Sequence, residues 1–108
     1  MIENDISKWP NEALDHDGYP TMEALQFIEQ YDVIKDGVEG LVSFIGEIWY
    51  FDDWGFKRDG DKLELHTGGW SGNEEVIQSL RKNLFWTFFW ESSRRGGHHY
   101  FDGLNKLK

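Results

Sequence analysis

Cysteine is absent from this 108-residue sequence, and proline occurs only twice, at Pro10 and Pro20. Without cysteine there is no disulfide framework and no thiolate to act as nucleophile or metal ligand, which fits a reducing compartment. No stretch approaches the roughly 18 apolar residues of a membrane span, and the N-terminus lacks the pattern of a secretory signal. Internal repeats, linkers and low-complexity tracts are missing too. Basic side chains are scarce, 11 against 20 acidic ones, for a formal net charge of −9. Such a balance repels phosphates at long range and argues against general nucleic-acid binding.

Aromatic residues are abundant. Six Trp, eight Phe and four Tyr make up 17% of the chain. Each can bury roughly 150–250 Å², which is enough to oppose ordering entropy and argues against disorder. A chain this short encloses one core, so residues 1–108 read as a single domain. Charge is unevenly distributed. Residues 1–40 hold ten acids and two lysines, net −8, whereas residues 73–108 hold four acids and six bases, net +2. That polarity either steers a charged partner or simply keeps an aromatic-rich protein in solution.

Local patterns suggest an order of elements. Residues 1–20 read as an irregular lead-in, with a turn at Asp15-His16-Asp17-Gly18 and with Trp9 and Tyr19 pinning it to the body. Thr21 is placed to cap a helix whose stripe is Met22, Leu25, Ile28 and Tyr31. A second helix is expected from Asp36 to about Tyr50, opened by an Asp36/Glu39 capping box, with Val38, Leu41, Val42, Ile45, Ile48 and Trp49 on its apolar face. Gly55–Lys57 and Lys62–Thr67 suit a hairpin turning at Arg58-Asp59-Gly60-Asp61, with Leu63 and Leu65 on one face and Lys62, Glu64 and His66 on the other. Ser71 and Glu74 have capping-box spacing before a short helix carrying Val76, Ile77 and Leu80. The apolar run from Leu84 to Trp90 reads as a central strand, Ser92–Gly97 as a loop, His98–Asp102 as a last strand, and residues 103–108 as a polar tail. The expected fold is therefore α+β: one domain, about four strands in a mixed sheet, helices mainly on one face, in the order α-α-β-β-α-β-β.

This order has a geometric consequence. A helix joining the 63–67 strand to the 85–90 strand would make a crossover, so the two strands would be parallel and end at the same edge. Two glycine-rich loops would then meet, one holding Gly68, Gly69, Trp70, Ser71 and Asn73, the other holding Arg94, Arg95 and His98. Free amides at a helix N-terminus beside paired guanidinium groups suit an anion such as a phosphate, with Trp70 stacking on a ring and Ser71 or Asn73 hydrogen-bonding it. Read singly, either loop is equally a tight turn, and the glycine spacing fits no standard nucleotide motif. No metal or cofactor is expected, because adjacent histidines in a strand face opposite ways and His98 and His99 cannot readily chelate one ion. Ser71 or Ser93 beside a histidine lacks the spacing of a triad, so no catalytic residue is assigned. Should a ligand be turned over, His66 or His98 would serve as acid or base. Trp49, Tyr50, Phe51, Trp54 and Phe56 form a dense aromatic stretch, partly core and partly available to a protein partner.

The strings from Leu65 to Glu74 and from Ser92 to Tyr100, together with Asp17-Gly18-Tyr19-Pro20-Thr21, resemble a family of small uncharacterised proteins encoded by bacteriophages and prophages. The resemblance runs through most of the chain and carries no catalytic roles with it. It implies a phage accessory protein working in the cytoplasm of the bacterial host. Two functions are expected from different classes. One is non-enzymatic binding of a host macromolecule, including inhibition of a defence system. The other is binding or sequestration of a phosphorylated small ligand or nucleotide at the two loops, with an enzyme acting on such a ligand as its extension.

Overall fold

A computed structural model describes residues 9–106. The first eight residues of the expected lead-in and the last two of the tail lie outside the described residues. The elements are α1 (Met22–Gln30), α2 (Val33–Asp36), α3 (Glu39–Ile48), α4 (Asp52–Gly55), β1 (Phe56–Asp59), β2 (Lys62–His66), α5 (Ser71–Arg81), α6 (Leu84–Phe89), β3 (Trp90–Arg94) and β4 (His98–Phe101), followed by a 3-10 turn at Leu104–Lys106. The class is α+β, with one four-stranded sheet in the order β1-β2-β4-β3. Among the described residues no helix is long and apolar enough to cross a membrane.

Several local readings agree with the structure. Thr21 Oγ1 accepts the Ala24 amide at 3.1 Å, capping α1. The β1–β2 hairpin pairs Asp59 with Lys62 around Gly60, whose φ of +58° places it in the left-handed region. Leu63 and Leu65 are fully buried, and the α3 stripe contributes Leu41, Val42, Ile45 and Ile48 to the core, with Trp49 just past its end. Trp9 packs edge-on against Phe44 at 5.2 Å, fastening the lead-in.

Four expectations need correction. Asp36 does not cap the second long helix: it ends α2, a single turn capped by Asp32, and α3 begins at Glu39 without a side-chain cap. Gly37, at φ +80°, redirects the chain between them. The 84–90 run is not a central strand but helix α6, capped by Asn83 Oδ1 accepting the Phe85 amide at 2.7 Å. Phe85 and Phe89, one helical turn apart, are buried, while Leu84 and Phe88 face outward. The third strand comes instead from the polar segment Trp90–Arg94. The sheet is consequently not mixed: every neighbouring pair is antiparallel, and no crossover joins β2 to a parallel partner. Finally, the tail is not wholly polar surface, since Leu104 is fully buried and its amide donates to Asp61 O at 3.0 Å.

Helices cover one face of the sheet, as expected. Phe85 and Trp86 of α6 each lie 5.3 Å from Phe101 of β4, and the Phe56 ring of β1 sits against Gly46 of α3. Because side chains alternate along a strand, His99 and Phe101 share the helix-covered face with Leu63 and Leu65. Glu64, His66, His98, Tyr100 and Arg94 share the other.

Candidate functional site

The two glycine-rich loops do meet, but by a different route from the one their sequence suggests. β2 ends at His66 opposite the start of β4 at His98, so the antiparallel register itself brings both loops to one edge. The Thr67 amide donates to Gly97 O at 2.9 Å. Gly96 and Gly97 take φ of +92° and +81°, a turn that residues with side chains adopt only at a cost.

The amide end of α5 carries the Trp70 ring over Gly72 and an acidic residue, Glu74, in its first turn. Trp70, not Ser71, is the N-cap residue, and no side chain caps the helix. The expected Ser71/Glu74 box is absent: Ser71 Oγ donates to the Tyr19 hydroxyl at 3.3 Å, and Glu74 accepts a short hydrogen bond from Thr67 Oγ1. The Trp70 ring lies directly over Gly72, where a Cβ would stand 2.1 Å from it. Asn73 is fully buried; its Oδ1 accepts the Tyr50 amide at 3.0 Å and its Nδ2 donates to Tyr50 O at 2.8 Å and Thr67 O at 3.3 Å. Gly68 lies beneath Trp54 and Phe51, whereas Gly69 faces open space. Arg94 turns away from α5, its guanidinium 5.9 Å from the Tyr100 ring on the outer sheet face. Arg95 is exposed on the hairpin. His98 also faces outward, its Nδ1 2.8 Å from Nδ1 of His66.

Trp70 belongs instead to an assembly of rings that sequence reasoning did not join together. Tyr19 packs on Trp70 at 4.6 Å, Trp70 on Tyr50 at 4.6 Å, Tyr50 on Phe51 at 4.2 Å, and Phe51 on Trp54 at 5.1 Å. Tyr50 and Trp54 remain 50% and 45% exposed, so the row is a surface and not a piece of the core. Phe51 adopts φ +65°, the only non-glycine residue with positive φ among those described. For a bulky side chain that conformation costs roughly 1–2 kcal/mol, and the packing of its ring between Tyr50 and Trp54 offsets it. The aromatic density of residues 49–56 was the available signal. It does not reveal that Trp49 and Phe56 turn inward, nor that Tyr19 and Trp70 extend the row.

Acidic groups border this surface. Asp15 Oδ1 accepts the amides of Asp17 at 2.9 Å and Tyr19 at 3.0 Å, and exposed Asp52 and Asp53 form the first turn of α4 beside Trp54. An open cavity of about 390 Å³ lies beyond Asp52 between α3 and β1, with Glu39, Glu47, Phe56 and Arg58 in its wall. There Arg58 grips Glu39 through two hydrogen bonds of 3.1 and 2.8 Å.

Opposite ways are indeed what adjacent His98 and His99 take. His99 is buried against Trp86 at 5.7 Å, with Ser93 Oγ 2.8 Å from its Nδ1 and the Trp90 indole N–H donating to the same hydroxyl. No carboxylate among the described residues hydrogen-bonds this imidazole, so the pair braces the hairpin and does not complete a triad. No group of three or more metal-binding side chains gathers among the described residues.

Burial, reinforced by the Arg81 guanidinium, lowers the His99 pKa below its ordinary 6.5. The unfolded chain therefore takes up a proton that the folded one refuses. Stability from this group is complete above about pH 6.5 and declines as pH falls toward the folded-state value. The urea midpoint should drop between pH 7 and pH 5, and His99→Gln should reduce that drop. Parallel pH profiles for the two proteins would contradict this.

Comparison of the chain with models of protein families, with curated proteins and with solved structures finds no match.

Proposed function

We propose that this protein is a non-enzymatic binding protein whose acidic, aromatic face takes up a basic surface of a partner protein. The observation that carries the reading is the continuous row Tyr19–Trp70–Tyr50–Phe51–Trp54, exposed at two of its five rings and bordered by Asp15, Asp17, Asp52 and Asp53. Aromatic rings supply large contact area at low entropic cost and attract guanidinium and ammonium groups through their faces. Carboxylates around them favour a cationic partner and speed its approach. The strained Phe51 backbone supports a binding role, because such conformations concentrate where function holds them. The resemblance to phage-encoded proteins makes the partner a protein of the bacterial host in this reading, and interference with a defence system the outcome of binding. A phosphorylated ligand at the amide end of α5 is less favoured, since the Trp70 ring covers Gly72 there and the Glu74 carboxylate in the first turn repels its charge.

The test is a pair of pull-downs from bacterial lysate, with the intact protein and with a Tyr50→Ala plus Trp54→Ala variant. Both side chains are half exposed, so the variant should melt within a few degrees of the parent. The expected result is a basic partner retained by the parent, released by raised salt, and reduced at least tenfold with the variant. A partner held equally by both proteins, or none from several hosts, would overturn the reading.

A further inference from the structure

The outer face of the sheet carries a chain of hydrogen bonds that neither the core nor the aromatic row requires. Glu64 Oε1 is 3.0 Å from His66 Nε2, and His66 Nδ1 is 2.8 Å from His98 Nδ1. An ionised carboxylate only accepts, so His66 donates from Nε2. In the neutral ring its Nδ1 is then a bare acceptor, and His98 must donate from its own Nδ1. A single arrangement of protons satisfies both bonds with both rings neutral. It leaves His98 Nε2 as the one bare nitrogen of the pair. That atom faces the hairpin turn, where a Cβ added to Gly96 would come within 3.3 Å of it. Glycine at this position keeps the approach to Nε2 open.

A proton added to this chain goes to His98 Nε2, because the other three ring nitrogens already hold or share one. The charge thus created sits beside another. Arg94 is the cross-strand partner of His98, and its guanidinium lies over Tyr100, whose ring in turn meets His66 edge-on at 5.7 Å. Among the described residues neither Arg94 nor Arg95 has an ion-pair partner. Lys57 and Asp59 of β1 and Lys62 of β2 also lie on this face, Lys57 standing opposite Glu64; Glu91 sits at the β3 bulge, and Glu74 of α5 reaches the hairpin turn at Gly97 from the other side. Arg94 and His98 are thus cross-strand neighbours beside a glycine turn that also carries exposed Arg95, on a protein that is otherwise strongly acidic.

We propose that this end of the outer face is a proton-linked site for a doubly charged oxyanion, the terminal group of a phosphate monoester. The oxyanion rests on His98 Nε2–H and the Arg94 guanidinium, and its binding draws in one proton. Glu64 acts through His66 as a positioning residue: it holds the tautomer that points the open nitrogen outward, and its charge balances the proton gained. The site is separate from the aromatic row, and the proposal stands without that reading.

Sulfate is the probe, because it remains a dianion across the pH range and adds no titration of its own. The full chain is titrated with sulfate at constant ionic strength in chloride, while long-range proton–nitrogen NMR reports each imidazole nitrogen. At pH 8 without sulfate, His98 Nε2 should show the signal of an unprotonated nitrogen and His66 Nε2 that of a protonated one. Sulfate should move His98 Nε2 toward the protonated signal in a saturable way. Its affinity should fall with rising pH by up to about tenfold per unit, the limit for uptake of one proton. Arg94→Gln and His98→Gln should each weaken binding at least tenfold, whereas Arg81→Gln, an equal change of charge on α5, should leave it unchanged. The proposal is overturned by a protonated His98 Nε2 at pH 8 in chloride alone. It is equally overturned by the absence of a saturable change at tens of millimolar sulfate, or by binding that ignores pH or Arg94→Gln.

Discussion

Replacing Asn83 with alanine is expected to destabilise the protein by about 2–4 kcal/mol, the scale of a lost helix cap plus buried polar groups left unpaired. One side chain here serves two helices. Its Oδ1 accepts the Phe85 amide at 2.7 Å and starts α6, while its Nδ2 donates at 2.8 Å to both Ile28 O and Tyr31 O at the end of α1. The last carbonyls of a helix have no partner within it, and these two find theirs in Asn83. Asn83 is 3% exposed, so water cannot readily take over. Asn83→Asp separates the two roles. Aspartate caps helices as well as asparagine does, yet its second oxygen would face two carbonyl oxygens with no proton to offer. Asn83→Asp should therefore cost nearly as much as Asn83→Ala at neutral pH. Urea unfolding of the three proteins measures this. A near-native stability for Asn83→Asp would show that capping alone matters, and would remove the bridge to α1 from the account.

Gly97→Ala should be the most damaging glycine substitution in the two loops. At φ +81° any Cβ is strained, and here it would fall 2.0 Å from Thr67 Oγ1 and 3.0 Å from Glu74 Oε2. The Thr67–Glu74 hydrogen bond would have to break or the hairpin move, so a loss of about 3 kcal/mol or more is expected, combining roughly 1–2 kcal/mol of backbone strain with a disrupted charged hydrogen bond. Gly69→Ala provides the comparison. Its φ is +75°, yet nothing lies within 4 Å of the added carbon. Only the backbone term of about 1–2 kcal/mol should remain. The difference between the two variants measures how firmly the loops are joined. Equal losses would mean that the hairpin does not rest on Thr67 in solution.

The hairpin at Gly60 and the cap at Thr21 were legible because each is written within four residues of itself. The meeting of the two glycine-rich loops was also anticipated, though through a parallel crossover that does not exist. The expected crossover rests on residues 84–90, where a run broken only by Thr87 fits a buried strand as well as a buried helix. In the fold Asn83 caps this run as a helix and ties it to Ile28, 55 positions away. The true third strand was hidden for the complementary reason. Trp90–Arg94 is an edge strand with no fully buried residue, so it lacks the alternation that marks a half-buried one. Of the residues expected to hold a ligand, Asn73 proves to be an internal tie and Trp70 part of a row of rings, while Arg94 and His98 share the outer face.

By itself the sequence determined that the chain has one aromatic-rich core, where several turns and caps fall, and which residues alternate across β2. Those features depend on neighbours two to four positions apart, and local sterics and periodicity suffice to set them. Only the tertiary structure decided that an apolar run becomes α6, that five rings from three segments line up on the surface, and that His66 meets His98 across 32 positions. Such pairings exist only once the chain has closed on itself. The groups that make them then choose among partners that local pattern leaves equally open.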